Sequence, residues 1–102
     1  MNTSPSFESH IGGDKPVVVD FFTEWCGPCK MMPPILKQVK QRVGDEATIL
    51  KMDIDKHPSY AQLYDVRAVP TLIIFRNGKI IWRKSGVTPA HEIVEHLKDF
   101  IT

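Results

Sequence analysis

Along the chain, short continuous runs of apolar residues alternate with segments in which apolar residues recur at helical spacing. The run Val17–Phe22 is β-branched and aromatic, which predicts a buried strand of a parallel sheet. A short helix is predicted before it, at Phe7–Ile11. From Cys29 to Val43 apolar residues recur every four positions, which predicts a helix that begins after Pro33 and Pro34 or kinks there. The first half of the chain therefore predicts helix, strand, helix.

The second half continues this alternation. Three further apolar runs predict strands at Thr48–Ile54, Thr71–Phe75 and Lys79–Lys84. Asn77 and Gly78 lie between the last two runs and are the strongest short hairpin signal, so these two strands are predicted to be antiparallel. A short helix is expected after His57, and Thr88 with Pro89 is predicted to cap a final amphipathic helix.

The element order predicts an α/β fold of one domain spanning residues 1–102. Right-handed crossovers would place helices on both faces of a central mixed sheet of about four strands. The composition, 42% hydrophobic and 25% charged, is close to that of an average globular domain. A chain of 102 residues is also long enough for one hydrophobic core.

Charge and hydropathy exclude several classes of partner. The formal net charge is +1, which gives no electrostatic reason to expect binding to nucleic acid or to an anionic membrane. No run of apolar residues is long enough to span a bilayer. The N-terminus has neither a basic start nor an apolar segment, so we expect no secretory signal and a cytoplasmic location.

Two cysteines, Cys26 and Cys29, are the only ones in the chain. A disulfide between them would close a very small loop and would stabilise the fold little, so the spacing indicates redox chemistry or half of a metal site. A zinc site would need two more ligands, and the four histidines are the only other soft candidates. His91 and His96 are five residues apart and do not share a helix face, so we expect no metal.

The cysteine pair lies between a predicted strand and a predicted helix. Unpaired N–H groups and the dipole at a helix start favour negative charge, so a cysteine there has a lowered pKa. Cys26 is expected to be the more exposed of the two and to attack a disulfide as the thiolate. Cys29, one turn further on, is expected to be more covered.

The residues Trp25-Cys26-Gly27-Pro28-Cys29-Lys30 match the active-site motif of the thioredoxin family. Val69-Pro70-Thr71, Pro34 and Gly86 also fall where that family has them, so the chain resembles thioredoxins from about Phe7 to its end. The resemblance implies the three-layer thioredoxin-like fold and a protein-disulfide reductase. Cys26 would attack, Cys29 would resolve the mixed disulfide, and the Cys26–Cys29 disulfide would be the only redox group, with no cofactor.

The resemblance also implies roles for residues outside the pair. Asp20, a lone acid in an apolar strand, would be a buried carboxylate that takes the proton of Cys29, and Lys51 would lie near it. Pro70 is expected to follow a cis peptide bond that sets the Val69 backbone opposite Cys26. The expected substrate-docking surface comprises Trp25, Gly27, Pro28, Val69, Pro70 and Gly86.

Partners follow from the same resemblance. Disulfide-containing proteins would be the substrates, and a flavin-dependent reductase like thioredoxin reductase would supply electrons. The alternative function is a thioredoxin-like binding or assembly module that uses the same surface. The family usually has a further N-terminal strand that this sequence is predicted to lack, so Thr48–Asp53 would be an open sheet edge. A dimer through this edge, or a partner that covers it, is the resulting hypothesis.

Overall fold

Four strands form one mixed sheet in the computed structural model, which describes residues 6–101. The strands are β1 (Val17–Phe22), β2 (Thr48–Asp53), β3 (Thr71–Arg76) and β4 (Lys79–Ser85). Their spatial order is β2-β1-β3-β4. β1 is parallel to β2 and antiparallel to β3, and β3 and β4 form the predicted antiparallel hairpin. The predicted fold class is confirmed, and β2 is an edge strand of the sheet.

Four α-helices cover the two faces of this sheet: α1 (Ser6–Ile11), α2 (Met32–Val43), α3 (Pro58–Leu63) and α4 (Ala90–Leu97). Short 3₁₀ turns occupy Pro28–Met31, Gly44–Glu46 and Lys98–Phe100. None of the helices within residues 6–101 is long and apolar enough to cross a membrane. The further strand predicted to be missing before α1 concerns residues outside the described range.

The side chains of β1 alternate between two hydrophobic clusters because successive strand residues point to opposite faces. Val18 packs with buried residues of α2 and α4 on one face. Val17, Val19 and Phe21 pack on the other face with α1 and with the aromatic residues of α3. Asp20 follows the alternation of Val18 and therefore lies on the face that α2 and α4 cover.

The helix predicted from Cys29 to Val43 is divided in the structure. Residues Pro28–Met31 form a 3₁₀ turn, and α2 begins at Met32, so Pro33 and Pro34 lie in the first turn of α2 rather than before the helix. The N–H groups of a first turn have no acceptor within the helix, so prolines cost no hydrogen bond there. The same rings prevent the α-helix from continuing backwards, which leaves the cysteine segment in tighter 3₁₀ geometry.

Thr88 does not cap the final helix, contrary to the prediction. Pro89 is the N-cap residue of α4, and no side-chain hydrogen bond caps that helix. The hydroxyl of Thr88 instead donates to the carbonyl oxygen of Gly86 at 3.1 Å. A threonine hydroxyl can bond to nearby main chain in a turn as readily as at a helix end, and this one stabilises the turn after β4.

Candidate active site

Cys26 and Cys29 form a disulfide at the carboxyl end of β1, with a Cα–Cα distance of 5.3 Å. Cys26 lies in the loop after β1, and Cys29 lies in the 3₁₀ turn that leads into α2. The turn is closed by the Lys30 N–H, which donates to the Gly27 carbonyl oxygen at 3.0 Å. The local fold thus holds the two sulfur atoms together, as the spacing in the sequence predicts.

The sulfur of Cys26 lies between a main-chain donor and a main-chain acceptor. The Cys29 N–H donates to Cys26 Sγ at 3.1 Å. On the other side, Cys26 Sγ lies 3.7 Å from the carbonyl oxygen of Val69. A fixed N–H aimed at this sulfur favours its charged form once the disulfide is reduced, because hydrogen bonds to a charged group stabilise it.

The two cysteines are equally covered, which corrects the prediction that Cys26 is the more exposed. Each residue exposes 5% of its surface. The Val69 segment packs beside Cys26 and covers it, an effect that could not be foreseen because Val69 is 43 residues away along the chain. Trp25 is instead an exposed apolar residue of the motif, with 73% of its surface accessible.

Asp20 is fully buried on the α2 face of the sheet, and within residues 6–101 neither of its carboxylate oxygens has a hydrogen-bond partner. Burial raises the pKa of Asp20 from 3.8 to about 6, and the positive charge of Lys51 partly opposes this rise. The hydroxyl of Thr23, three residues further on, is also buried without a partner. The structure therefore has an unpaired proton acceptor on the face of the sheet that the cysteine turn and α2 cover.

Lys51 lies beside Asp20 in the register of β1 and β2 but forms no ion pair with it. Its ammonium group lies 4.8 Å from the centre of the Phe22 ring, where the face of the ring attracts a cation. Lys51 and Cys29 also line one cleft of about 210 Å³. The charge of Lys51 thus acts on Asp20 through space, at the mouth of a cleft that reaches Cys29.

Trp25 is held by a partner that the sequence analysis missed. Its Nε1–H donates to the Asp55 carboxylate at 2.8 Å, across 30 residues of sequence. The Asp55 N–H in turn donates to Asp53 Oδ1 at 2.9 Å. Both aspartates belong to a segment that resembles the family, but no local pattern links that segment to Trp25.

The predicted docking residues gather around Cys26, although they do not form one level surface. The Val69–Pro70 peptide bond is cis, as predicted. The carbonyl oxygen of Pro70 accepts the N–H of Gly86 at 2.8 Å, which joins the two loops. Trp25, Gly27 and Pro28 are exposed, Val69 and Gly86 are half-buried, and Pro70 is buried. A cleft of about 170 Å³ lies between Trp25 and Val69.

Metal-binding side chains do not cluster at this site. Within residues 6–101 no group of three or more histidine, cysteine, aspartate or glutamate side chains could hold a metal ion together. The redox-capable group at the site is the disulfide that Cys26 and Cys29 form.

Comparison with known proteins agrees with this geometry. The family model described as Thioredoxin matches residues 1–99 of the chain. The chain belongs to the thioredoxin family. A thioredoxin-like protein of Synechocystis is 41% identical over 94 residues, which cover 92% of this chain and 90% of that protein. The crystal structure of a thioredoxin from Malassezia sympodialis superposes with a TM-score of 0.81 at 35% identity, covering 91% of this chain and 82% of that one.

Another relative is longer than this sequence. Thioredoxin Y2, chloroplastic, of Arabidopsis thaliana is 44% identical over 98 residues, which cover 95% of this chain but 59% of that protein. The chain thus spans little more than half of this plant relative. What family membership and the cysteine pair together establish is a thiol–disulfide oxidoreductase domain with a Cys-x-x-Cys disulfide.

Proposed function

We propose that the protein reduces disulfide bonds in other proteins by dithiol–disulfide exchange. The observation that supports this most is the Cys29 N–H, which points at Cys26 Sγ from 3.1 Å inside an intact disulfide motif. That donor stabilises the Cys26 thiolate, which is the form that attacks a substrate disulfide. The first step forms a mixed disulfide with Cys26 and releases one substrate sulfur as a thiolate, which then takes a proton from water.

The second step uses Cys29 and the buried carboxylate. Cys29 gives its proton to Asp20, and the resulting thiolate attacks Cys26 Sγ and breaks the mixed disulfide. The second substrate sulfur leaves as a thiolate, and the Cys26–Cys29 disulfide forms. Two electrons have then passed to the substrate, which is fully reduced. Lys51 offsets part of the cost of holding Asp20 ionised at neutral pH.

Substrate binding is assigned to the surface around Cys26. Trp25, Gly27 and Pro28 would contact the substrate on one side of its disulfide, and Val69 and Gly86 on the other. The half-buried Val69 would pair its main chain with an extended substrate segment, while the buried Pro70 would shape the loop rather than touch the substrate. The proposed electron donor is a flavoenzyme of the thioredoxin reductase type, with the protein serving as an electron carrier.

The remaining questions are the cellular compartment of the protein and its oligomeric state. Net reduction requires a reducing compartment, and the cytoplasm remains the prediction, although the plant relative is named chloroplastic. Fractionation of cells that express the tagged full-length protein tests this location. Whether β2 pairs with a second copy of the chain or stays free for another partner is tested by analytical ultracentrifugation at micromolar concentrations.

Insulin reduction tests the proposed function directly. With dithiothreitol as the electron source, we expect the protein to accelerate precipitation of the insulin B chain. Cys26→Ser should abolish the acceleration. Pre-reduced Cys29→Ser, mixed with insulin after removal of dithiothreitol, should accumulate a one-to-one mixed disulfide that is visible by non-reducing electrophoresis. A folded protein with both thiols free that gives no acceleration would contradict the proposal. A cellular role that survives the double serine variant would instead support a binding module.

A further inference from the structure

The outer edge of β2 carries main-chain groups that no neighbouring strand uses. The N–H groups of Thr48 and Ile54 donate 3.0 Å hydrogen bonds to carbonyl oxygens on the β1 side. Because the main chain alternates along a strand, the N–H and C=O groups of Ile49 and Lys51 point away from β1, whereas the carbonyl oxygen of Asp53 accepts the His57 N–H at 3.0 Å. Within residues 6–101 no strand lies on that side. The edge could therefore pair with one more extended segment.

Two clefts flank this edge, one on each face of the sheet. The cleft on the α2 face, of about 400 Å³, is lined by Pro33, Leu36, Lys37, Lys40, Thr48, Ile49 and Lys51. The cleft on the α1 face, of about 220 Å³, is lined by Phe7, His10, Leu50, Lys51 and Met52. A strand added to β2 would send alternate side chains into these two clefts, which is how sheet edges select the peptides that they bind.

The linings of the two clefts carry basic side chains and no acidic ones. Lys37, Lys40 and Lys51 lie on the α2 face, and His10 lies on the other. Lys40 lies 3.9 Å from the fully exposed Asp45, and Lys51 acts electrostatically on the buried Asp20, but both acids lie outside the linings. The chain as a whole has 12 acidic and 13 basic residues, so this one-sided distribution favours carboxylates as the complement.

The opposite edge of the sheet is built differently. β4 carries the exposed basic residues Lys79, Arg83 and Lys84, and its register with β3 shifts at Ile74. Charged side chains and bulges are the usual devices that keep an edge strand from pairing. On β2, Lys51 is the one exposed charged residue, Ile49 and Leu50 are half-buried apolar residues, and Thr48–Asp53 pairs with β1 without a shift. Only β2 thus retains the features of an edge that accepts a strand.

We propose that the β2 edge binds an extended acidic segment of a partner protein as a fifth strand. Its carboxylates would face Lys37, Lys40 and Lys51, and its apolar side chains would enter the cleft beside Phe7 and Met52. A second copy of the chain fits less well, because pairing β2 with itself would bring both sets of lysines along one seam. The segment would lie next to the cleft that Lys51 shares with Cys29.

A synthetic peptide provides the first test. The probe is an eight-residue fluorescent peptide of alternating glutamate and valine, titrated with the oxidised protein at low salt, and the control probe replaces glutamate by lysine. We expect the acidic peptide alone to bind. Lys37→Glu should weaken binding at least about fivefold, since the variant replaces an attraction by a repulsion. Lys79→Glu on β4 is the matched control and should leave the affinity within about twofold.

A second variant tests the main-chain pairing. Ile49→Pro removes an N–H that points outward while leaving the bonds to β1 in place, and proline is tolerated on edge strands. We expect the circular dichroism spectrum of this variant to show a folded protein, and we expect the variant to lose peptide binding. In the wild type, adding the peptide should change the NMR amide shifts along β2. A peptide affinity that is unchanged in Lys37→Glu, or amide shift changes centred on Trp25, would overturn the proposal. So would a stable dimer whose β2 amides are already protected.

Discussion

Asp20 and Asp53 are both buried near the carboxyl ends of neighbouring parallel strands, yet they are used in different ways. Asp53 is 9% exposed, and its Oδ1 accepts the N–H of Asp55 at 2.9 Å. Asp20 is 0% exposed, and neither of its oxygens accepts any hydrogen bond. One carboxylate fixes the turn that follows β2, whereas the other has no structural task.

The difference shows why burial alone does not make a reactive group. A carboxylate that accepts a main-chain N–H has its charge stabilised, because hydrogen bonding favours the ionised form. Asp20 lacks such a bond, so burial raises its pKa to about 6. A group with that pKa can take a proton and return it at neutral pH, which is what the exchange of Cys29 requires. The missing partners of Asp20 are therefore the basis of its proposed role.

The largest expected effect is on the rate of insulin reduction, which substitution of Asp20 should lower and substitution of Asp53 should not. Asp20→Asn removes the proton acceptor, and we expect insulin reduction to slow by about 10²-fold, the low end of what acid–base catalysis contributes. Asp53→Asn keeps a side-chain oxygen for the Asp55 N–H, so its rate should stay within about twofold of wild type. Equal losses in the two variants, measured with both proteins folded, would remove the distinction between them.

The second expected effect concerns stability. Burial raises the pKa of Asp20 from 3.8 to about 6. Below about pH 3 the residue is protonated in both states, and between about pH 4 and 6 mainly the unfolded chain ionises, so the stability of the wild type falls as pH rises through this window. One pKa unit corresponds to about 1.4 kcal/mol, so ionised Asp20 lowers the free energy of unfolding by about 3 kcal/mol above pH 6.

Urea denaturation of Asp20→Asn against wild type measures this penalty. The stability difference between the two proteins should favour the variant by about 2 kcal/mol more at pH 8 than at pH 4, because the unfolded chain is already partly ionised at pH 4. Other groups titrate alike in both proteins and cancel in the comparison. A difference that is the same at both pH values would mean that Asp20 does not titrate in the native protein.

The smallest expected effect comes from removing the charge of Lys51 next to Asp20. The charge of Lys51 lowers the pKa of Asp20, so Lys51→Met should raise that pKa and move the pH profile of insulin reduction upward. At pH 8 the loss of rate should be less than about twofold, because Asp20 remains mostly ionised there. Lys56→Met is the matched control, since Lys56 pairs with Glu24 at the surface, 3.6 Å away. An unchanged profile would show that Lys51 does not act on Asp20.

Local patterns predicted much of this molecule and failed where distant segments meet. The strands were predictable because runs such as Val17–Phe22 are apolar on both faces, and Asp20 was conspicuous inside that run. The 3₁₀ turn at Cys29 was not predictable, because it depends on how far back towards Cys29 the two proline rings allow α2 to begin. The covering of Cys26 by Val69 and the bond between Trp25 and Asp55 arise only when the chain folds.

The resolving step tests the central claim most directly, since Asp20 is proposed to take the proton of Cys29 in that step. Rapid mixing of reduced protein with a chromogenic aromatic disulfide releases one coloured thiol when Cys26 attacks and a second when Cys29 resolves the intermediate. Between about pH 5 and 8, the second phase should accelerate with a midpoint near the Asp20 pKa of about 6. In Asp20→Asn it should be slow and lack that midpoint. Identical second phases in the two proteins would contradict the account.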